Sequence, residues 1–253
     1  MFTILFREIN AFLSSLIAYI VITVFLTAMG LIVWVFPDTN VLDYGFADLH
    51  TLFFFAPYVF MFLIPAITMR TFAEEKKTGT IELLLTRPVK EWNIILGKYF
   101  SSWLLVIFAL LPTLIYYFTI YYLSLVRIKS PEGTLILTEN MDSSGIAGSY
   151  IGLLLLGAVF TAIGIFASSI SRDQIISFIT AVFLCFILYL GFSSIAAIDD
   201  TTPFAYFIAQ LGIDYHYNSV SKGLIDSRNL VYFVSVVIVM LSATKLVLDS
   251  RKW

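Results

Sequence analysis

Six mostly apolar, almost charge-free stretches dominate the 253-residue sequence: residues 15–36, 51–69, 99–123, 150–170, 175–198 and 230–248. Each is close to or above the roughly 20 residues a helix needs to cross the ~30 Å hydrocarbon core of a bilayer. Lipid offers no water to peptide N–H and C=O groups, so a spanning segment must be a helix or a strand of a closed barrel. The in–out alternation of barrel strands is absent, which leaves an all-α membrane protein of six transmembrane helices. Composition agrees, with 60% hydrophobic and 13% charged residues against about 45–50% and about 25% in soluble domains. One membrane domain over residues 1–253 accounts for the length.

Ahead of the first run, Phe2, Leu5, Phe6, Ile9, Phe12, Leu13 and Leu16 recur at helical spacing, with Thr3, Arg7 and Asn10 opposite. This pattern predicts an amphipathic helix in the headgroup plane, the alternative being an amphipathic extension of the first span. The apolar run that follows is longer than the core of a cleaved signal peptide and has no clear small-residue cleavage site. With six spans both termini share a side, and Lys/Arg counts assign it. Arg7, six basic residues of the stretch 70–98, Arg172, Lys245, Arg251 and Lys252 make eleven on the terminal side, against Arg127, Lys129, Lys222 and Arg228 opposite. Eleven to four predicts cytoplasmic termini, with the 70–98 loop and the Arg172 hairpin on the same side. The stretches 124–149 and 199–229 read as polar outer loops, with 203–211 a short surface helix that begins at Pro203 and stops before Gly212.

Several chemistries have no residues to carry them. The apolar runs hold no Asp, Glu, Arg or His, and their one Lys, Lys245, sits where its ammonium can snorkel to the headgroups. Ionisable groups at bilayer depth cost at least about 2.5–3.5 kcal/mol and usually mark proton or ion pathways, so a charge-coupled carrier loses weight. His50 and His216 occupy different loops without metal-ligand spacing, and Cys185 is the sole cysteine. No glycine precedes Gly97-Lys98 at phosphate-loop spacing, and there is neither a nucleophile elbow nor a basic cluster suited to nucleic acid. An enzyme is not expected.

The one long charged stretch, residues 70–98, lies between the second and third runs. Gly79 favours a break and Pro88 disfavours helix at Arg87, so Ile81, Glu82, Leu83, Leu84 and Leu85 make a helix of about two turns. Those apolar side chains either rest on the membrane surface or enter a groove on a soluble partner, and periodicity does not separate the two. Pro57, Pro65 and Pro112 are bending points or static kinks. Without further information the chain is a transporter, an ATP-independent secondary transporter among the options, or a membrane anchor for a soluble complex.

The set Glu75, Gly79, Thr80, Glu82, Leu84 and Pro88, placed after the second of six spans and followed by Gly97-Lys98, resembles the ABC type-2 permease family. The resemblance covers essentially the whole chain. Within that family, residues 215–219 and 223–228 are similar to the permease subunits of gliding-motility ABC transporters. The resemblance implies that the 70–98 loop holds a coupling helix seated in a cytoplasmic ABC ATPase subunit. Glu75, Gly79, Thr80, Ile81, Glu82, Leu83, Leu84, Leu85 and Pro88 would form that contact, with Arg172 and Asp173 as secondary contacts. It further implies that ATP is bound by the partner and no cofactor by this chain, that a second permease subunit completes the pathway, and that the site is a bacterial inner membrane.

Overall fold

A computed structural model describes residues 1–43, 48–85, 90–129, 135–139, 141–198, 202–224 and 226–250. Six of its helical segments are long and apolar enough to cross a membrane: Leu16–Trp34, His50–Lys77, Glu91–Ser124, Ser143–Ile170, Gln174–Ala196 and Ser227–Asp249. The protein is an all-α membrane protein.

Helix α1 (Phe2–Leu13) is separated from α2 (Leu16–Trp34) by Ser14 and Ser15, and Ser15 Oγ caps α2 by accepting from the Ile17 N–H. The break makes α1 an element of its own, not an extension of the first span. It buries Leu5 and Phe12 and leaves Phe2 and Phe6 exposed. The second span, α3 (His50–Thr68), contains Pro57 and Pro65 and hands the chain to two short helices, α4 (Ala73–Lys77) and α5 (Thr80–Leu85). The third begins with α6 (Glu91–Leu110), passes Pro112 in a 3₁₀ turn, and ends with α7 (Leu114–Ser124). Its helix therefore starts before the apolar run does, and Lys98 lies within it.

Strands β1 (Leu125–Lys129) and β2 (Leu135–Glu139) pair antiparallel with Lys129 opposite Leu135. The stretch 124–149, read as a polar outer loop, thus holds a pair of antiparallel strands in its first part. The Asp142 carboxylate then accepts from the Gly145 N–H and caps α8 (Ser143–Ile170). At 28 residues and about 1.5 Å per residue, α8 runs roughly 42 Å. It is the pillar of the bundle, 78% buried over its most apolar window, against 17–22% for the first, fifth and sixth spans. Gly164 lets α3 approach closely, because a Cβ there would lie 2.9 Å from Thr68 Cβ.

The fifth span is α9 (Gln174–Phe186), a π-helical turn at Ile187–Gly191, and α10 (Phe192–Ala196). Helix α11 (Pro203–Gln210) forms where the proline start and glycine stop placed it, with Thr202 as its cap. A second short helix, α12 (Ile213–Val220), lies in what read as polar loop. Its buried residues Ile213, Tyr217 and Val220 are spaced i, i+4, i+7, a signal diluted by Asp214, His216 and Asn218 between them. The chain closes with α13 (Ser227–Asp249).

Candidate functional site

The termini-bearing end of the bundle is held together by the segment between α3 and α6. Backbone N–H groups at the start of α4 have no helical partner, and a side chain from another span supplies one. Ser168 Oγ of α8 accepts from the N–H groups of Phe72 and Ala73, both at 3.0 Å, and donates to the Met69 carbonyl at 3.1 Å. Lys76 is buried and its Nζ donates to the Ser169 carbonyl. A single turn of α8 thereby fixes where α3 stops and α4 begins.

Lys98 lies at the centre of an ion cluster. Its side chain is 1% exposed, and Nζ donates to Glu75 Oε1 at 2.9 Å, Glu8 Oε1 at 3.1 Å and the Thr71 carbonyl at 2.6 Å. The ammonium also faces the Phe72 ring, 5.1 Å from its centroid. Arg7 of α1 reaches Glu8 at 2.7 Å and Glu75 at 3.2 Å. Burying an ion requires such compensation, and two cations here meet two carboxylates. Burial pushes the Glu8 carboxyl up, but Lys98 and Arg7 outweigh it and hold the group below its ordinary value. Next to Lys98, Gly97 lets α1 lie directly on α6, since a Cβ would stand 3.1 Å from Ile4 Cγ2 and 3.4 Å from the Met1 carbonyl. A small cavity of about 70 Å³ between α1, α3 and α6 is lined by Glu8, Arg70, Glu74, Ser101 and Ser102.

Of the residues expected to form a partner contact, Glu75 and Ile81 point inward. Glu75 belongs to the ion cluster, and Ile81, 5% exposed, packs in the apolar group that includes Phe72, Ile94, Ile95 and Leu248. Gly79 adopts φ +72°, a left-handed conformation that favours glycine. It turns the chain from α4 into α5 with open space around it. Thr78, Gly79, Thr80 and Glu82 are exposed, and the hydroxyls of Thr78 and Thr80 lie 2.9 Å apart. Leu83, Leu84 and Leu85 continue α5, their side chains lying outside the described residues, as does Pro88 altogether. Arg172 is exposed. Asp173 caps α9 by accepting from the Ile175 N–H at 2.9 Å and pairs with Lys77 Nζ at 3.1 Å. That backbone bond, followed by Lys77, holds its carboxyl below the ordinary carboxylate value.

The two loops expected to share a side therefore touch directly through Lys77 and Asp173. Sequence reasoning missed Arg7, Glu8, Lys76, Lys98 and Ser168. Lys98 stood beside the apolar run as a loop residue, and its helical phase with Ile94 and Ile95 was the only hint of burial. Among the described residues no group of His, Cys, Asp or Glu could hold a metal ion. The segment is tied to α6 and α1 through Lys98, to α8 through Ser168 and Lys76, and to α9 through Asp173.

No curated protein matches the sequence. The profile of the ABC-2 family transporter proteins matches residues 36–244, most of the chain from just past α2 into α13. The chain belongs to the ABC-2 transporter family and is a membrane subunit of an ATP-binding-cassette transporter.

Proposed function

We propose that this permease subunit takes up the motion of a separate ATP-hydrolysing subunit at the exposed turn from α4 to α5. The observation that carries the reading is the division of labour within that segment. Glu75, Lys76 and Ile81 are turned inward and anchored to other helices, whereas Thr78, Gly79, Thr80 and Glu82 face outward at its tip. Docking is then a matter for the tip and for Leu83–Leu85, with Glu75 and Ile81 acting as the anchors that pass the motion on. Arg172 and Asp173 flank the tip, Asp173 through its pair with Lys77. The eleven-to-four basic asymmetry supports a cytoplasmic position for this end, where ATP is available, and the family likeness supports a bacterial inner membrane.

Nucleotide moves the spans only as far as it stabilises one state of the partner over the other. The joint at Ser168 and Lys98 determines which spans feel that difference. A second permease subunit completes the pathway, lying against the exposed faces of the outer spans. The likeness at residues 215–219 and 223–228 supports gliding motility as the process served.

The test is affinity purification of the full chain with Leu83→Glu or Leu84→Glu. Membrane insertion stays at the wild-type level while the co-purifying ATP-binding subunit falls at least about tenfold, since one buried leucine is worth roughly 1.5–3 kcal/mol. Survival of the complex in both variants overturns the docking reading.

A further inference from the structure

At the opposite end of the bundle, α12 is attached to several spans. His216 pairs with Asn229 of α13 at 2.8 Å and stacks on Tyr232 with ring centroids 3.9 Å apart, and Asp214 accepts from Ser193 of α10 at 3.2 Å. The C-terminal end of α12 is stitched to the pillar α8. Ser149 Oγ donates to the Ser221 carbonyl at 2.7 Å, and Gly152 admits Val220, whose Cγ1 would stand 3.0 Å from a Cβ there. Gly148 and Gly223 meet backbone to backbone, Gly223 at φ +79°.

The attachment of α12 to α3 is a single hydrogen bond. Pro57 has no N–H, so the carbonyl of Phe53, four residues earlier in α3, has lost its helical donor. Tyr217, buried in the middle of α12, donates its hydroxyl to that carbonyl at 2.7 Å. Burial pushes the Tyr217 phenol above its ordinary value, so it stays protonated as a donor. Two irregular segments meet around this bond, the proline gap of α3 and the π-helical turn Ile187–Gly191 of the fifth span. Tyr189 of that turn has ring centroids 6.2 Å from both Tyr58 and Tyr217 and 6.0 Å from Phe160. α3 is also the span that carries α4 and the joint at the other end.

We infer that Tyr217 is a positioning residue for transport: its bond to the Phe53 carbonyl couples α12, which also rests on α8, α10 and α13, to the movement of α3. Through it a displacement entering at α4 alters the opposite mouth of the protein. The source of that displacement rests on the docking reading above; the attachment of α12 to α3 does not.

The test uses the full chain in its purified transporter complex, with spin labels on cysteines introduced at the exposed positions His50, at the start of α3, and Asn218, in α12. Native Cys185 is fully buried and escapes labelling. Otherwise unsubstituted protein gives one narrow label distance, with and without ATP and vanadate. Tyr217→Phe gives a second, broader population already without nucleotide. Pro57→Ala supplies the Phe53 carbonyl with a helical N–H, so in Pro57→Ala/Tyr217→Phe the thermal stability returns while the broad distance population persists. A narrow distance in Tyr217→Phe, or a return to the narrow distance in the double variant, overturns the inference. A second label pair at Thr78 and Arg172 reports the other end. If it fails to respond to nucleotide, the docking reading falls, and the attachment of α12 is still judged by the nucleotide-free distances.

Discussion

Replacing Lys98 with methionine keeps the length of the side chain and removes its ammonium from between Glu75 and Glu8. The carboxylates are 16% and 20% exposed and Lys98 itself 1%, so this is the removal of one partner from a buried pair. Such removals cost about 3–5 kcal/mol, because the remaining charge is left uncompensated in a low-dielectric setting. Arg7 keeps its contacts to both carboxylates, but at 54% exposure it offsets no more than about 0.2–1 kcal/mol. The expected loss is therefore about 3 kcal/mol, a fall in melting temperature of about 6–12 °C for a chain of this size. The assay is thermal unfolding of the purified chain in nanodiscs, together with the mobility of a spin label at Phe6, exposed on α1. Lys98→Met should lower the melting temperature and free the label, and Glu75→Gln/Lys98→Met should recover most of the loss. An unchanged melting temperature, or strictly additive effects of the two substitutions, refutes the ion cluster as the attachment of α1.

Gly164→Ala drives a methyl group into Thr68 and should cost about 1–3 kcal/mol, read as a lower melting temperature with normal membrane insertion. Ser168→Ala leaves the Phe72 and Ala73 N–H groups without their acceptor, at about 1–3 kcal/mol, and should expose Lys76 and Lys77 to trypsin before the rest of the chain unfolds. Glu8 titrates below its ordinary value of 4.5, so its stabilising contribution is fully present above 4.5 and lost as pH falls through the lower folded value. The Phe6 label should accordingly stay immobile from neutral pH down to about 4.5 and loosen only below it, with the transition removed by Glu8→Gln; loosening centred above 4.5 contradicts the assignment.

The spans were legible because each is an apolar run whose helical state is the only way to satisfy its backbone in lipid. The amphipathic start, the break at Gly79 and the proline start of α11 were legible for local reasons of periodicity and backbone conformation. What escaped was tertiary. Lys98 meets Glu8 across 90 positions and Ser168 meets Phe72 across 96, and no local pattern encodes such pairings. Ile81 lies on the inner face of α5 and Glu75 in the ion cluster, placements set by partners distant in sequence that the motif does not reveal. Helix α12 was masked by its polar residues, although the need of Phe53 for a donor, imposed by Pro57, was readable from the sequence once a helix was assumed there.

The central claim is that energy enters through the α4–α5 tip. A photo-crosslinking amino acid at Glu82, exposed on that tip, tests it most directly in native membranes. The account predicts a crosslink to an ATP-binding subunit, with a yield that changes when nucleotide is trapped by vanadate, and no such product from an equivalent probe at the exposed Asn218. A Glu82 probe that captures no ATP-binding protein, or one that captures it with the same yield in every nucleotide state, contradicts the account.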